Sequence, residues 1–125
     1  MKQAEDNKTI DMWETKVKTA ELTGAALDWA VAKCEGVEII VRQENWDWYS
    51  SSWEQGGPII ERECIELAAY DAETSQPKNP EYWEATIYQR NGPVRAEGTT
   101  PLVAAMRCYV ASKLGDFIEI PEDLK

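Results

Sequence analysis

The segment from Gln43 to Gln55 concentrates the side chains of this chain that could bind a planar ligand. It reads QENWDWYSSSWEQ and holds three of the six tryptophans and a tyrosine. The face of an indole ring can stack on a nucleobase and contribute about 1–3 kcal/mol per base. We interpret the segment as an ordered loop, and packing of its rings onto a sheet is the alternative. The candidate ligand-binding residues in it are Trp46, Trp48, Tyr49 and Trp53.

Two arginines could bind the anionic part of such a ligand, because a guanidinium forms paired hydrogen bonds with phosphate or carboxylate. Arg62 closely follows a Gly-Gly-Pro turn signal, and Gly57 within that signal would let the backbone approach a ligand. A surface ion pair with a neighbouring glutamate is the alternative for Arg62. Arg107 lies in an apolar stretch, where an unpaired charge is costly. It should therefore meet either a ligand or an ion-pair partner.

The composition excludes most catalytic constellations. The 125 residues include no histidine, so neither a Ser-His-Asp nor a Cys-His arrangement can form within the chain. Paired carboxylates such as Glu61 and Glu63, which a strand would place on one face, arise by chance among 23 acidic residues. Neither of the glycine motifs that bind phosphates, the P-loop and the dinucleotide fingerprint, is present. We therefore assign no catalytic residue and expect no enzymatic activity and no cofactor.

The three cysteines do not form a metal-binding pattern. Cys34, Cys64 and Cys108 lie far apart in the sequence, and no histidine could complete a site. Free cysteine is among the most buried residue types. We interpret all three as small apolar side chains, two on helices and Cys64 in a strand, and we expect no metal.

The charge of the chain limits its partners. Lys and Arg number 13 against 23 Asp and Glu, which gives a formal net charge of −10. A protein that binds duplex DNA normally presents a basic face to the phosphates, and the sequence contains no Lys/Arg cluster. We therefore expect neither a nucleic-acid polymer nor a membrane as partner. The acidity is chiefly typical of a protein that is kept soluble by its charge, and the more specific alternative is a surface that meets a basic protein.

Two predicted helices position the candidate residues. The first runs from about Ala20 to Cys34, with Thr19 or Thr23 as N-cap and Gly36 in the left-handed conformation at its end.

The second predicted helix covers Thr99–Asp116, where Thr100 is a good N-cap, Pro101 suits the first turn and Gly115 ends the helix. Apolar residues cover more than half of its circumference, so it should be largely buried. Ile118 and Ile120 then lead into a tail.

The strands are predicted between these helices. Val37–Val41 is rich in β-branched residues, and Ile59–Tyr70 alternates imperfectly, so we predict one strand for each. Tyr82–Arg90 alternates more clearly, and Asn91-Gly92 is a strong hairpin signal that makes Val94–Glu97 the return strand. Hairpin connections favour an antiparallel sheet.

These elements predict an α+β fold, with helix, antiparallel sheet of three to four strands, and helix in one compact domain. The length and the 43% of hydrophobic residues are those of one globular domain. We place that domain at residues 16–125 and interpret residues 1–15 as an N-terminal extension. No apolar run approaches the roughly 20 residues of a membrane span, and no signal-peptide pattern precedes the domain.

Three blocks of the sequence, taken together and in this order, resemble the NinX-like family of bacteriophage proteins. They are TAELTGAALDWAVAKCEG at 19–36, YSSSWEQGGPIIERE at 49–63 and TTPLVAAMRCYVASKLGD at 99–116. The resemblance covers about Lys16 to Leu124. It implies a phage or prophage origin, an accessory gene and the host cytoplasm as location, and it supplies no catalytic residue. The chain departs from the pattern in its extension and in the serines Ser50–Ser52.

The leading functional hypothesis is a non-enzymatic phage accessory protein that sequesters a small anionic, nucleotide-derived ligand, such as a host immune signalling molecule. We expect such an anti-defence sponge to be a homo-oligomer with sites near subunit contacts. The alternative is a protein-binding module that inhibits a host protein through an acidic, aromatic surface. An enzyme acting on a nucleotide is the third hypothesis.

Overall fold

The part of the chain that our computed structural model describes, residues 14–37, 48–70 and 80–124, contains three α-helices and two antiparallel sheets. This confirms the predicted α+β class. The helices are α1 (Gly24–Cys34), α2 (Trp53–Glu63) and α3 (Pro101–Leu114). The strands are β1 (Glu14–Lys18), β2 (Glu66–Tyr70), β3 (Tyr82–Gln89), β4 (Gly92–Gly98) and β5 (Phe117–Pro121). The predicted strand Val37–Val41, beyond its first residue, and most of the extension lie outside the described residues.

The three-stranded sheet has the order β2-β3-β4. The predicted hairpin between β3 and β4 is confirmed, and because Gln89 pairs with Gly92, its two turn residues are Arg90 and Asn91. The second sheet pairs β1 with β5, and Val17 lies opposite Ile118. The predicted tail after α3 is therefore wrong for Phe117–Pro121, because this segment pairs with a strand about a hundred residues earlier in the chain.

Helix α3 is the centre of the core and confirms its predicted boundaries. The Thr100 hydroxyl accepts a hydrogen bond from the Val103 N–H (3.1 Å), Pro101 opens the first turn, and Gly115 follows the last turn with φ +92°. The helix packs against β3 and β4 on one side and against α1 and α2 on others. Its buried residues are Leu102, Ala104, Ala105, Met106, Cys108, Tyr109 and Val110.

Helix α1 starts later than predicted but ends as predicted. Thr19–Glu21 form a separate 3-10 turn, and Thr23 is the N-cap residue. Gly36 has φ +79° and donates its N–H to the Lys33 carbonyl. The next N–H, that of Val37, bonds to the Ala32 carbonyl. This pair of bonds is the Schellman motif, which satisfies carbonyls that a helix end leaves free.

Helix α2 corrects two predictions, the loop up to Gln55 and the strand from Ile59. Gly-Gly-Pro has low helix propensity and indicated a turn, but contacts with α3 override propensity. Gly56 and Ile59 are buried in the described structure, and Ile60 and Glu63 are half-buried. This spacing is that of one helix face. Only the second half of the predicted strand, β2, is extended, so Glu61 and Glu63 do not share a strand face.

Cys64 ends α2 in the conformation that Gly36 adopts after α1. Its φ is +55°, its N–H bonds to the Glu61 carbonyl (3.3 Å), and the Ile65 N–H bonds to the Ile60 carbonyl (3.0 Å). Cys64 is exposed, so its predicted place as a buried strand residue is wrong. The left-handed conformation costs a residue with a Cβ roughly 1–2 kcal/mol.

We expect Cys64→Gly to raise the free energy of unfolding by about 0.5–1 kcal/mol, because glycine adopts this φ without steric cost. Urea denaturation of both proteins measures the difference. Cys64→Ala is the matched control, since it removes the thiol but keeps the Cβ, and it should leave stability unchanged. Equal stabilisation by alanine and glycine would show that the thiol, rather than the backbone, limits stability here.

None of the helices that the structure describes is long and apolar enough to cross a membrane.

Candidate functional site

Residues 48–53, which we call the tryptophan turn, contain three of the predicted aromatic ligand-binding residues. Some of these side chains lie at the surface and one lies in the core. Trp48 is 66% exposed and Trp53 is 54% exposed, whereas Tyr49 is buried. Trp46 lies outside the described residues. Of the predicted aromatic ligands, Trp48 and Trp53 therefore present their rings to solvent, and Tyr49 packs in the core.

The tryptophan turn is fixed to α1 by a buried aspartate. Asp28, only 5% exposed, accepts the backbone N–H of Ser50 (2.8 Å). Within the turn, the N–H groups of Ser51 and Ser52 both bond to the Trp48 carbonyl (3.2 and 2.9 Å). The two exposed indoles thus extend from a backbone that is already ordered. Sequence analysis missed Asp28, although a carboxylate between Leu27 and Trp29 on an apolar helix was a visible signal.

Burial raises the pKa of Asp28, and hydrogen bonds from the Ser50 side chain and backbone only partly oppose this. The folded state therefore binds the proton of Asp28 more tightly than the unfolded state does. The contribution of Asp28 to stability consequently falls as pH rises from about 4, the pKa of an unfolded aspartate, through the higher pKa of the folded protein.

We expect Asp28→Asn to gain stability relative to wild type between pH 4 and pH 7, because asparagine keeps the acceptor oxygen and does not ionise. Asp28→Ala should lose about 1–2 kcal/mol, since the buried Ser50 N–H then lacks its acceptor. Urea denaturation at both pH values tests this pair of variants. The assignment would be contradicted if the stability of the wild-type protein, measured relative to Asp28→Asn, increased between pH 4 and pH 7.

Arg62 is held by two glutamates and a tyrosine. Its Nη1 and Nη2 donate to the two carboxylate oxygens of Glu35 (3.2 and 2.6 Å), and its Nε donates to Glu63 (2.9 Å). Nη2 also donates to the Tyr109 hydroxyl (3.1 Å), which itself donates to Glu35. Lys113 lies 3.7 Å from Glu63 and over the Tyr109 ring. The cluster therefore neutralises Arg62 within the chain.

The pKa values in this cluster favour its ion pairs. Burial alone would raise the pKa of Glu35, but hydrogen bonds from Arg62 and Tyr109 and the charges of Arg62 and Lys113 lower it below its usual value. Burial, followed by the hydrogen bond to Glu35, raises the pKa of Tyr109. Because the folded pKa of Glu35 is depressed, its contribution to stability is present above the unfolded pKa and is lost as pH falls through the folded one.

Arg107 binds backbone carbonyls rather than a carboxylate. Its Nε donates to the Leu22 carbonyl (2.8 Å) and its Nη1 donates to the Glu97 carbonyl (2.7 Å). Burial lowers the pKa of Arg107, and the charge of Glu21 opposes this. The guanidinium thereby connects the segment before α1 to β4 across α3. It also borders a cleft of about 240 Å³ next to Val94 and Asp116.

The structure does not bring the two predicted arginines together. Arg62 contacts Tyr109 of α3, and Arg107 lies two residues from Tyr109 on the same helix. Residues two apart differ by about 200° around a helix axis, so the two guanidiniums occupy opposite sides of α3. Gly57 lies near the aromatic site instead, since a Cβ built on it would be 3.8 Å from the Trp53 ring.

The thiols of Cys108, which is buried, and of Cys34, which is half-buried, are not prepared for nucleophilic chemistry. Burial raises the pKa of Cys34 and of Cys108 to about 11 in each case. Since the thiolate is the reactive form, these two side chains stay protonated at neutral pH.

Comparison with known proteins identifies the family. No curated protein matches the chain. The model of the phage family described as "Bacteriophage P22, NinX" matches residues 18–113, about three quarters of the sequence and all of α1, α2 and the three-stranded sheet. The chain therefore belongs to the NinX family of bacteriophage proteins.

Proposed function

We propose that this phage accessory protein binds, without chemical conversion, a small nucleotide-derived ligand by stacking it on Trp48 and Trp53. The observation that carries the proposal is the exposure of both indoles on a turn that Asp28 and Tyr49 anchor. Exposed aromatic side chains on an ordered backbone bind with a low entropic cost. Sequestration of a host immune signal, by a homo-oligomer in the host cytoplasm, is the role that this binding would serve.

The geometry alters the expected contacts of such a ligand. Arg62 would have to exchange Glu35 for a phosphate, and Arg107 already donates to two carbonyls. The planar base, rather than a clamp of two arginines, is therefore the recognised group. We expect affinity to depend on ring stacking and to respond only weakly to salt, because exposed charges that salt screens contribute little.

Titration of cyclic oligonucleotides and ADP-ribose derivatives, followed by tryptophan fluorescence, tests the proposal. We expect Trp48→Ala and Trp53→Ala each to weaken binding about tenfold, since a stacked base contributes about 1–3 kcal/mol. Trp83→Phe is the matched control, because Trp83 packs against the core. Binding that both alanine variants retain, or the absence of binding to every member of the ligand set, would overturn the proposal.

A protein partner is the second candidate for the tryptophan turn. Exposed tryptophans are frequent hot spots of protein interfaces, and the net charge of −10 would select a basic partner. Affinity capture from a host lysate distinguishes the two candidates. This candidate is favoured if the wild-type protein captures a stoichiometric protein that Trp48→Ala and Trp53→Ala do not capture. The first candidate is favoured if the wild-type protein retains a small molecule.

A further inference from the structure

The three-stranded sheet has a face that α3 does not cover, which we call the outer sheet face. Trp83, Ala85 and Ile87 of β3 point towards the core, so alternate residues of β3 and their neighbours point away. A cleft of about 320 Å³ lies on this face. The outer sheet face comprises Glu66, Ala68, Tyr70, Tyr82, Glu84, Thr86, Tyr88, Arg95 and Glu97.

Three tyrosines give the outer sheet face an aromatic surface. The rings of Tyr70 and Tyr82 stack with centroids 5.2 Å apart and planes 13° apart. Tyr88 is 61% exposed at the other end of the cleft. The hydroxyls of Tyr70 and Tyr88 donate to Glu84 and Glu66 (3.4 and 3.1 Å). These bonds hold the tyrosine rings beside carboxylates.

The same face carries unbalanced negative charge. Glu84 and Glu97 lie directly opposite each other on β3 and β4, and like charges in this position destabilise a sheet. Arg95 is the one basic residue on this part of the described sheet, and it pairs in register with Thr86 rather than with Glu84. Burial and the negative charges of Glu97 and Glu84 together raise the pKa of Tyr82. A cation between the two glutamates would relieve the repulsion.

Thr86 adds an unsatisfied polar group to the cleft. The residue is only 6% exposed, it lines the cleft, and its hydroxyl forms no hydrogen bond with any residue that the structure describes. A buried hydroxyl without a partner is costly. A polar group that enters the cleft would satisfy it.

We propose that the outer sheet face binds an extended, arginine-containing segment of a protein partner. One arginine lies between Glu84 and Glu97 with its guanidinium against the Tyr70–Tyr82 pair, and a polar group of the segment reaches Thr86. Arginine fits better than lysine because its planar guanidinium stacks on aromatic rings and bonds carboxylates in pairs. This surface is separate from the tryptophan turn, so the inference stands even where Trp48 and Trp53 bind nothing.

Fluorescence anisotropy with a labelled peptide of alternating arginine and threonine tests the inference. We expect saturable binding that the double variant Glu84→Gln/Glu97→Gln weakens at least tenfold. The control Glu54→Gln/Glu61→Gln makes the same change of net charge on α2, which packs against α3, and it should weaken binding less than threefold. The corresponding lysine peptide should bind several-fold more weakly than the arginine peptide.

Thr86→Val distinguishes a specific hydrogen bond between the Thr86 hydroxyl and the peptide from general attraction between charges. Valine keeps the shape of threonine but lacks the hydroxyl, so we expect weaker peptide binding together with an unchanged or higher melting temperature. Absence of peptide binding would overturn the inference. Equal weakening by the two double glutamine variants would overturn it as well, because it would show attraction to net charge alone.

Discussion

We expect Gly56→Ala to destabilise the protein by about 2 kcal/mol, because a methyl group has no space at this position of α2. A Cβ built on Gly56 lies 2.5 Å from the Tyr49 carbonyl oxygen and 2.6 Å from Cδ2 of Leu102. The leucine can rotate, but the carbonyl belongs to the tryptophan turn that Asp28 holds in place. Overpacking usually costs about 1–3 kcal/mol, and the better helix propensity of alanine offsets up to about 1 kcal/mol.

The adjacent glycine supplies the control for this expectation. Beyond its chain neighbours, a Cβ on Gly57 would meet the Trp53 ring at 3.8 Å, which is ordinary van der Waals contact. Gly57→Ala should therefore change stability by less than about 1 kcal/mol, because the higher helix propensity of alanine is opposed by the contact of its Cβ with the next residue, Pro58. Urea denaturation of the two variants measures the contrast. An equal loss of about 2 kcal/mol in both variants would show that the contact at Gly56 does not limit the approach of α2 to α3.

We expect Arg107→Met to lower the free energy of unfolding by about 3 kcal/mol. The substitution keeps much of the aliphatic stem but removes the donors to the Leu22 and Glu97 carbonyls. Hydrogen bonds that involve a charged group contribute about 1.5–3 kcal/mol each. The loss is large because the two carbonyls belong to different parts of the fold, and the guanidinium joins them. Arg107→Lys should be intermediate, since an ammonium lacks the planar fork.

Arg62→Met is the matched control for Arg107→Met. Each variant loses one guanidinium, which in Arg62 contacts α3 and in Arg107 belongs to α3. The Arg62 side chain is half exposed, and ion pairs at the surface contribute about 0–1 kcal/mol. We expect a loss of 1 kcal/mol or less in chemical denaturation. If Arg107→Met were as mild as Arg62→Met and abolished ligand binding instead, Arg107 would be a ligand-binding residue rather than a structural one.

Local signals predicted the parts of the fold that local interactions determine. Helix α3 has its N-cap, first-turn proline and final glycine within its own sequence, and all three act as predicted. The β3–β4 hairpin is likewise encoded by adjacent alternation and a turn. Helix α2 was missed because Gly56 is required by a contact with Tyr49 and α3, and that requirement has no local signature.

Most partners of the candidate site residues were beyond prediction for a similar reason, although the ion pair of Arg62 with its neighbour Glu63 was among the alternatives. Arg62 pairs with Glu35, which lies 27 positions away, in addition to its neighbour Glu63. Arg107 binds carbonyls, and every residue offers a carbonyl, so no sequence pattern could identify Leu22 or Glu97. The tryptophan turn, which exposes Trp48 and buries Tyr49, is bonded through Ser50 to Asp28, 22 positions earlier in the chain. The candidate surface was predictable in composition but not in geometry.

The pairing of β1 with β5 determines the order in which the chain can fold. Val17 can pair with Ile118 only after α1, α2, the three-stranded sheet and α3 have been synthesised. Closing so long a loop carries an entropic cost that must be met before the contact forms, and such distant pairings slow folding. During translation, β1 can therefore pair with β5 only once β5 has left the ribosome.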